Sequence, residues 1–155
     1  MELEELKKKY EKLSGKYKLP SFKELNENFE IDKIERDSDA LLRSVRKVMM
    51  EKIINSLGFV EMLLNPMNSP RMYLSYIRSM GQEDKKCIDD IYGALAEVSV
   101  TALEAEIDYS EEREASLIKE ILKSWNKIKP EFNIILKNMK SPSGNNIKKD
   151  RSYFG

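Results

Sequence analysis

EIDKIERDSDALLRSVRKVMMEKIINSLGFVEMLL, residues 30–64, places apolar side chains at Ile34, Leu41, Val45, Val48, Ile53, Leu57, Val60 and Leu64. Steps of three and four hold most of these on one side of a 3.6-residue helix, while Leu42, Met49, Met50, Phe59 and Met62 widen the stripe. A helix over 30–64 is predicted. Its first part, IDKIERDSDALLRSVRK, carries charge on the outer face. Its second, IINSLGFVEMLL, is apolar nearly all round, so the C-terminal half is expected to be the more buried. Gly58 inside it costs about 1 kcal/mol of helix propensity relative to Ala, which points to close approach of a neighbouring helix. Asn65-Pro66 ends the segment, since proline cannot continue it.

Downstream, Ser69-Pro70 reads as an N-cap followed by proline at the first helical position. Met72, Tyr73, Tyr76, Ile77 and Met80 then form one face of a helix over 70–80, terminated by Gly81. Residues 83–109 carry two overlapping stripes, Ile88/Ile91/Leu95/Val98/Ala102 and Tyr92/Ala96/Val100/Leu103/Ile107, which mark a central helix. Asp108 or Ser110 is expected to cap the next helix, over 111–139, whose first turn places Glu111, Glu112 and Glu114 at the positive end of the helix dipole. Ile118, Ile121, Trp125, Ile128, Phe132, Ile135 and Met139 form its apolar face. That face keeps phase across Pro130, so a kink is expected there and not a stop.

Upstream, Leu3, Leu6, Tyr10 and Leu13 predict a short amphipathic helix ended by Ser14-Gly15, with Glu4 facing Lys8 and Glu5 facing Lys9. Pro20-Ser21-Phe22-Lys23-Glu24 has the form of a capping box opening a second short helix. Residues 141–155, SPSGNNIKKDRSYFG, lose periodicity and are expected to form a flexible C-terminal tail. The expected fold class is all-α: an antiparallel helical bundle of three long helices (about 30–64, 83–109 and 111–139) plus two or three shorter covering helices. Residues 1–140 are read as a single helical bundle domain.

The composition narrows function mainly by exclusion. The 155 residues contain no histidine, which removes Ser-His-Asp hydrolysis and Glu-x-x-His di-iron chemistry. Cys87 is the sole cysteine, so a thiolate zinc cluster and an internal disulfide are excluded, and it reads as a small core thiol. Glu24/Glu27 and Glu111/Glu114 have the Glu-x-x-Glu spacing of helical nucleotide pyrophosphatases, but no Glu-x-x-Asp pair follows at a suitable distance. Glu97, Thr101, Glu104 and Asp108 form a polar stripe on the central helix. Glu97 and Glu104 are separated by ~10 Å of helix rise, so the stripe reads as a solvent face and no metal is assigned. No catalytic residue and no cofactor is expected. With no long apolar run and no leader-like N-terminus, no membrane association is expected and the localisation reads as cytoplasmic.

Formal charge sums to zero, yet it is segregated. Residues 82–118 hold eleven acidic against three basic residues, a net −8, and residues 119–155 hold nine basic against three acidic, a net +6. In an antiparallel hairpin these helices are neighbours, so much of the polarity is expected to be satisfied by surface ion pairs worth little each. LLRSVRKVMMEKI (residues 41–53), followed later by QEDKK, faintly resembles the helical domain of GINS replication subunits over about a fifth of the chain. The intervening segment is longer than in that pattern and no β-rich second domain follows it, so no family is assigned.

The functional expectation is a non-enzymatic helical protein-interaction module or accessory subunit, acting on a protein partner or by self-association. Lys148, Lys149, Arg151, Tyr153 and Phe154 are its candidate partner-binding residues, because aromatic anchors beside cations suit a partner's groove. The alternative is a nucleic-acid- or ribosome-associated accessory protein with Lys119, Lys123 and Lys127 on phosphates. A third reading is a carboxylate-dependent divalent-metal enzyme. The methionines Met49, Met50, Met62, Met67, Met72 and Met80 are read chiefly as core filling.

Overall fold

The computed structural model describes residues 2–35 and 39–140, the Asn68 side chain excepted. Six α-helices and no strand occur among them: α1 (Leu3–Tyr17), α2 (Phe22–Phe29), α3 (Leu41–Leu64), α4 (Arg71–Ser79), α5 (Gln82–Ile107) and α6 (Glu111–Lys140). Short 3-10 turns occupy Ile31–Lys33 and Pro66–Asn68. The architecture is the expected all-α bundle. α3, α5 and α6 pack against one another pairwise, because each brings one apolar stripe to a shared seam. Leu42, Val45, Met49, Ile53 and Val60 of α3 meet Ile88, Ile91, Leu95 and Val98 of α5 and Leu117, Ile118, Ile121 and Ile128 of α6, all buried.

The short helices cover particular sides of this trio. α1 and α2 lie across α3 and α6, where Phe29 packs on Trp125 with ring centroids 6.0 Å apart. The Tyr17 hydroxyl donates to Glu111 Oε1 at 2.6 Å and Lys119 Nζ donates to the Tyr17 carbonyl at 3.0 Å, tying the end of α1 to the start of α6. At the opposite end of the bundle, α4 sets Tyr73 edge-on against Phe59, which in turn meets Phe132 at 5.7 Å.

Several helix ends differ from expectation. The predicted 30–64 helix begins only at Leu41. Glu30 adopts a left-handed conformation (φ 56°) that closes α2, the Asn26 side chain accepts the Asp32 amide at 2.9 Å, and Ile31 and Ile34 are buried by the turn that results. α1 runs through Ser14-Gly15 to Tyr17, because the left-handed stop sits at Lys18 (φ 55°), whose amide returns to the Ser14 carbonyl. Pro70, not Ser69, is the N-cap of α4; the Ser69 hydroxyl donates to the Met62 and Asn65 carbonyls and so finishes α3. Gly81 N-caps α5, with its amide donated to the Asp84 carboxylate at 3.2 Å. Ser21 accepts the Glu24 amide at 3.1 Å, the N-cap half of the expected capping box, and of the two candidates for α6 it is Ser110 that caps, accepting the Arg113 amide at 3.1 Å. α6 continues through Pro130 as its unbroken apolar phase indicates.

Two expectations about α3 are overturned, and both matter for function. Its N-terminal half is the more buried one, whereas in the apolar C-terminal half Ile54, Met62 and Leu64 are exposed and Leu57 is only half-buried. No neighbouring helix approaches Gly58, where an added Cβ would meet nothing within 4 Å. The surplus apolarity of this half therefore faces outward.

Candidate interaction surface

Helices α3 and α5 are antiparallel neighbours, and their shared outer side is an apolar groove. One end is built electrostatically. Arg46 lies in phase with Leu42, Val45 and Met49 and is carried inward with them, only 3% exposed. A buried guanidinium requires partners. Its Nε and Nη2 donate to the two carboxylate oxygens of fully buried Glu114 at 2.7 and 2.9 Å, and its Nη1 pairs with Glu106 Oε1 at 2.8 Å. Arg43 Nη2 takes the other Glu106 oxygen at 2.7 Å, and its guanidinium stacks over the Tyr109 ring at 5.4 Å. Hydrogen bonds from Arg43 and then Arg46 hold the Glu106 carboxyl at about 2, well under the usual carboxylate range. Three helices are locked together here, and the register of α3 against α5 is set.

From that lock the groove runs along both helices. Lys47, Met50, Ile54 and Leu57 line it from α3, and Ser99, Ala102, Leu103 and Glu106 from α5, enclosing about 370 Å³. A second depression, of about 590 Å³, is edged by Gly58, Glu61, Met62 and Tyr92. Of the residues lining the groove, Ile54 is 57% exposed and Leu103 63%, and elsewhere on α5 Val100 and Ile107 are exposed as well. Eight residues beyond Arg46 on α3 and seven before Glu106 on α5, Ile54 and Ser99 stand at one level, midway along the groove.

Of the second α5 stripe of the sequence, Tyr92/Ala96/Val100/Leu103/Ile107, Leu103 lines this groove, Tyr92 is half-buried against the core, and Val100 and Ile107 are exposed. Comparison with known protein families, with curated proteins and with solved structures returned no match to this chain. What the surface does is therefore argued from its own chemistry.

The residues singled out in the sequence fall elsewhere. Lys148, Lys149, Arg151, Tyr153 and Phe154 lie outside the described residues. Lys119, Lys123 and Lys127 form one exposed row on α6, in which Lys119 is engaged with the Tyr17 carbonyl. The acidic block is met from α3: Glu106 and Glu114 pair with Arg43, Arg46 and Lys47, a cross-helix arrangement not foreseen from the α5–α6 hairpin. Glu97, Glu104 and Asp108 are exposed, and among the described residues no three His, Cys, Asp or Glu side chains are grouped to hold a metal ion. Cys87 is half-buried, and burial, then Glu131, Asp90 and Asp84, raise its thiol pKa. Of the methionines, Met49 and Met50 fill core as expected, while Met62, Met67 and Met72 are exposed. No helix among the described residues is long and apolar enough to cross a membrane.

Proposed function

We propose that this chain is a non-enzymatic helical interaction module whose working surface is the α3/α5 groove with the helix faces that flank it, and that a protein partner docks there through an apolar helical surface. The supporting observation is Ile54 and Leu57 on α3 with Leu103 on α5: aliphatic side chains that lie exposed or half-buried on two adjacent helices, along a groove rimmed by Lys47, Glu51 and Glu106. Contiguous apolar surface with a polar rim suits protein recognition, and spacing at i, i+3, i+4 and i+7 along both walls suits an occupant of the same helical period. The rigid Arg46 junction holds both walls in register before any partner arrives, which lowers the ordering cost of binding.

A photo-crosslinking amino acid placed at Ile54 in living cells tests this, with the same group at Lys127 on the exposed outer row of α6 as control. Covalent adducts with a protein chain are expected from position 54 and not from position 127. Equal labelling from both positions, or none from 54, would remove the groove as the working surface.

A further inference from the structure

The pattern of charge along the groove specifies its occupant more narrowly. We infer that the occupant is the same face of a second copy of this chain, related by a two-fold axis that crosses the groove at the level of Ile54 and Ser99. The inference rests on the groove being a docking surface and goes further by naming what docks.

Self-complementarity about that axis is the argument. Such an axis lays α3 antiparallel on α3 of the second copy and α5 antiparallel on α5. Ile54 then meets its own counterpart. Lys47 lies seven residues before Ile54 and Glu61 seven after, so each Lys47 is set opposite Glu61 of the second copy, twice over. Arg43 is set opposite Asn65. On α5 the same operation sets Ser99 against its own counterpart, a small residue that lets the two α5 helices approach. No like charges along the α3 wall are brought together. Isologous interfaces require this self-match, and an arbitrary surface does not offer it.

Size is sufficient. The α3 wall from Arg43 to Asn65 is about 33 Å long at the helical rise, and two adjacent helices present roughly 20 Å of width. That footprint, on the order of 600–700 Å² per copy, exceeds the total of about 1,000 Å² that a specific interface needs when both copies are counted. Exposed Lys47 is 3.9 Å from Glu106 within its own chain, a loose contact that leaves its ammonium free to turn toward a facing carboxylate.

Sedimentation equilibrium of the full chain over about a hundredfold concentration range reads the outcome directly. A dimer is expected for the wild type. Ile54→Lys, which sets two cations on the axis, is expected to give a monomer with unchanged helicity, since Ile54 is mostly exposed. Lys47→Glu and Glu61→Lys alone should each weaken dimerisation at least about tenfold, and the double swap Lys47→Glu/Glu61→Lys should restore it. A wild type that stays monomeric throughout overturns the inference, while adducts from position 54 to a different protein would leave the groove reading standing. A dimer indifferent to the single reversals, or not restored by the swap, overturns the proposed axis.

Discussion

Arg46 and Glu114 lie 68 positions apart in sequence and meet as a two-pronged ion pair, Nε to Oε2 at 2.7 Å and Nη2 to Oε1 at 2.9 Å, inside the junction of α3 and α6. Neither is accessible enough to be rescued by water, at 3% and 0% exposure. Breaking such a pair strands a buried charge, whereas replacing both ends removes the desolvation cost together with the attraction. Arg46→Met and Glu114→Leu are each expected to lower unfolding free energy by about 3–5 kcal/mol, and the double variant to lie within about 1–2 kcal/mol of wild type. Urea denaturation of the four proteins measures the coupling.

Glu106 governs the acid limb of stability. Its folded pKa of about 2 lies below the ordinary carboxylate value because Arg43 and Arg46 donate to it. A lowered folded pKa contributes stability that is complete above the unfolded value and disappears as pH falls through the folded one. The melting temperature is therefore expected to drop between about pH 4.5 and pH 2. Glu106→Gln should flatten that slope, and since the side chain is 35% exposed the difference should shrink in added salt. Differential scanning calorimetry at stepped pH, with and without salt, measures both effects.

The three long helices were legible in the sequence because apolar periodicity and packing ask for the same thing, and α6 kept its phase through Pro130 for that reason. The groove was legible only as an excess. IINSLGFVEMLL and the second α5 stripe contain more apolar residues than one seam can cover, and periodicity alone does not say whether the excess is core or surface. Arg46 had a signal in its phase with Leu42 and Met49, but its partner is supplied by a helix far along the chain, which no local pattern reports. The end of α1 moved for a similar reason: Tyr17 is held by Glu111, 94 positions away, so local stop signals at Ser14-Gly15 are overruled.

Gly93 is helical within α5, exposed, and a Cβ built there would meet nothing within 4 Å. Its backbone φ is not positive, so alanine adopts the native conformation without strain. Gly93→Ala is expected to raise unfolding free energy by about 0.5–1 kcal/mol, chiefly by restricting the unfolded chain. Chemical denaturation with an unchanged m-value is the confirming measurement.

Tyr76 sets a different balance, because its ring is 4% exposed and its hydroxyl is buried without a hydrogen-bond partner. Burial, then the negative charge of Asp84 and the Cys87 thiol, push its phenol up to about 12. An unpaired buried hydroxyl carries a desolvation penalty of about 1–3 kcal/mol that a phenylalanine does not. Tyr76→Phe is therefore expected to be neutral to stabilising by about 1 kcal/mol near neutral pH. The gain should widen at alkaline pH: a raised folded pKa means the unfolded chain releases the proton first, so stability in the wild type falls once pH exceeds about 10. Ultraviolet titration should show a phenol deprotonating near 12 in the wild type and missing from Tyr76→Phe. A destabilised Tyr76→Phe would mean that the hydroxyl makes a contact in solution that compensates its burial.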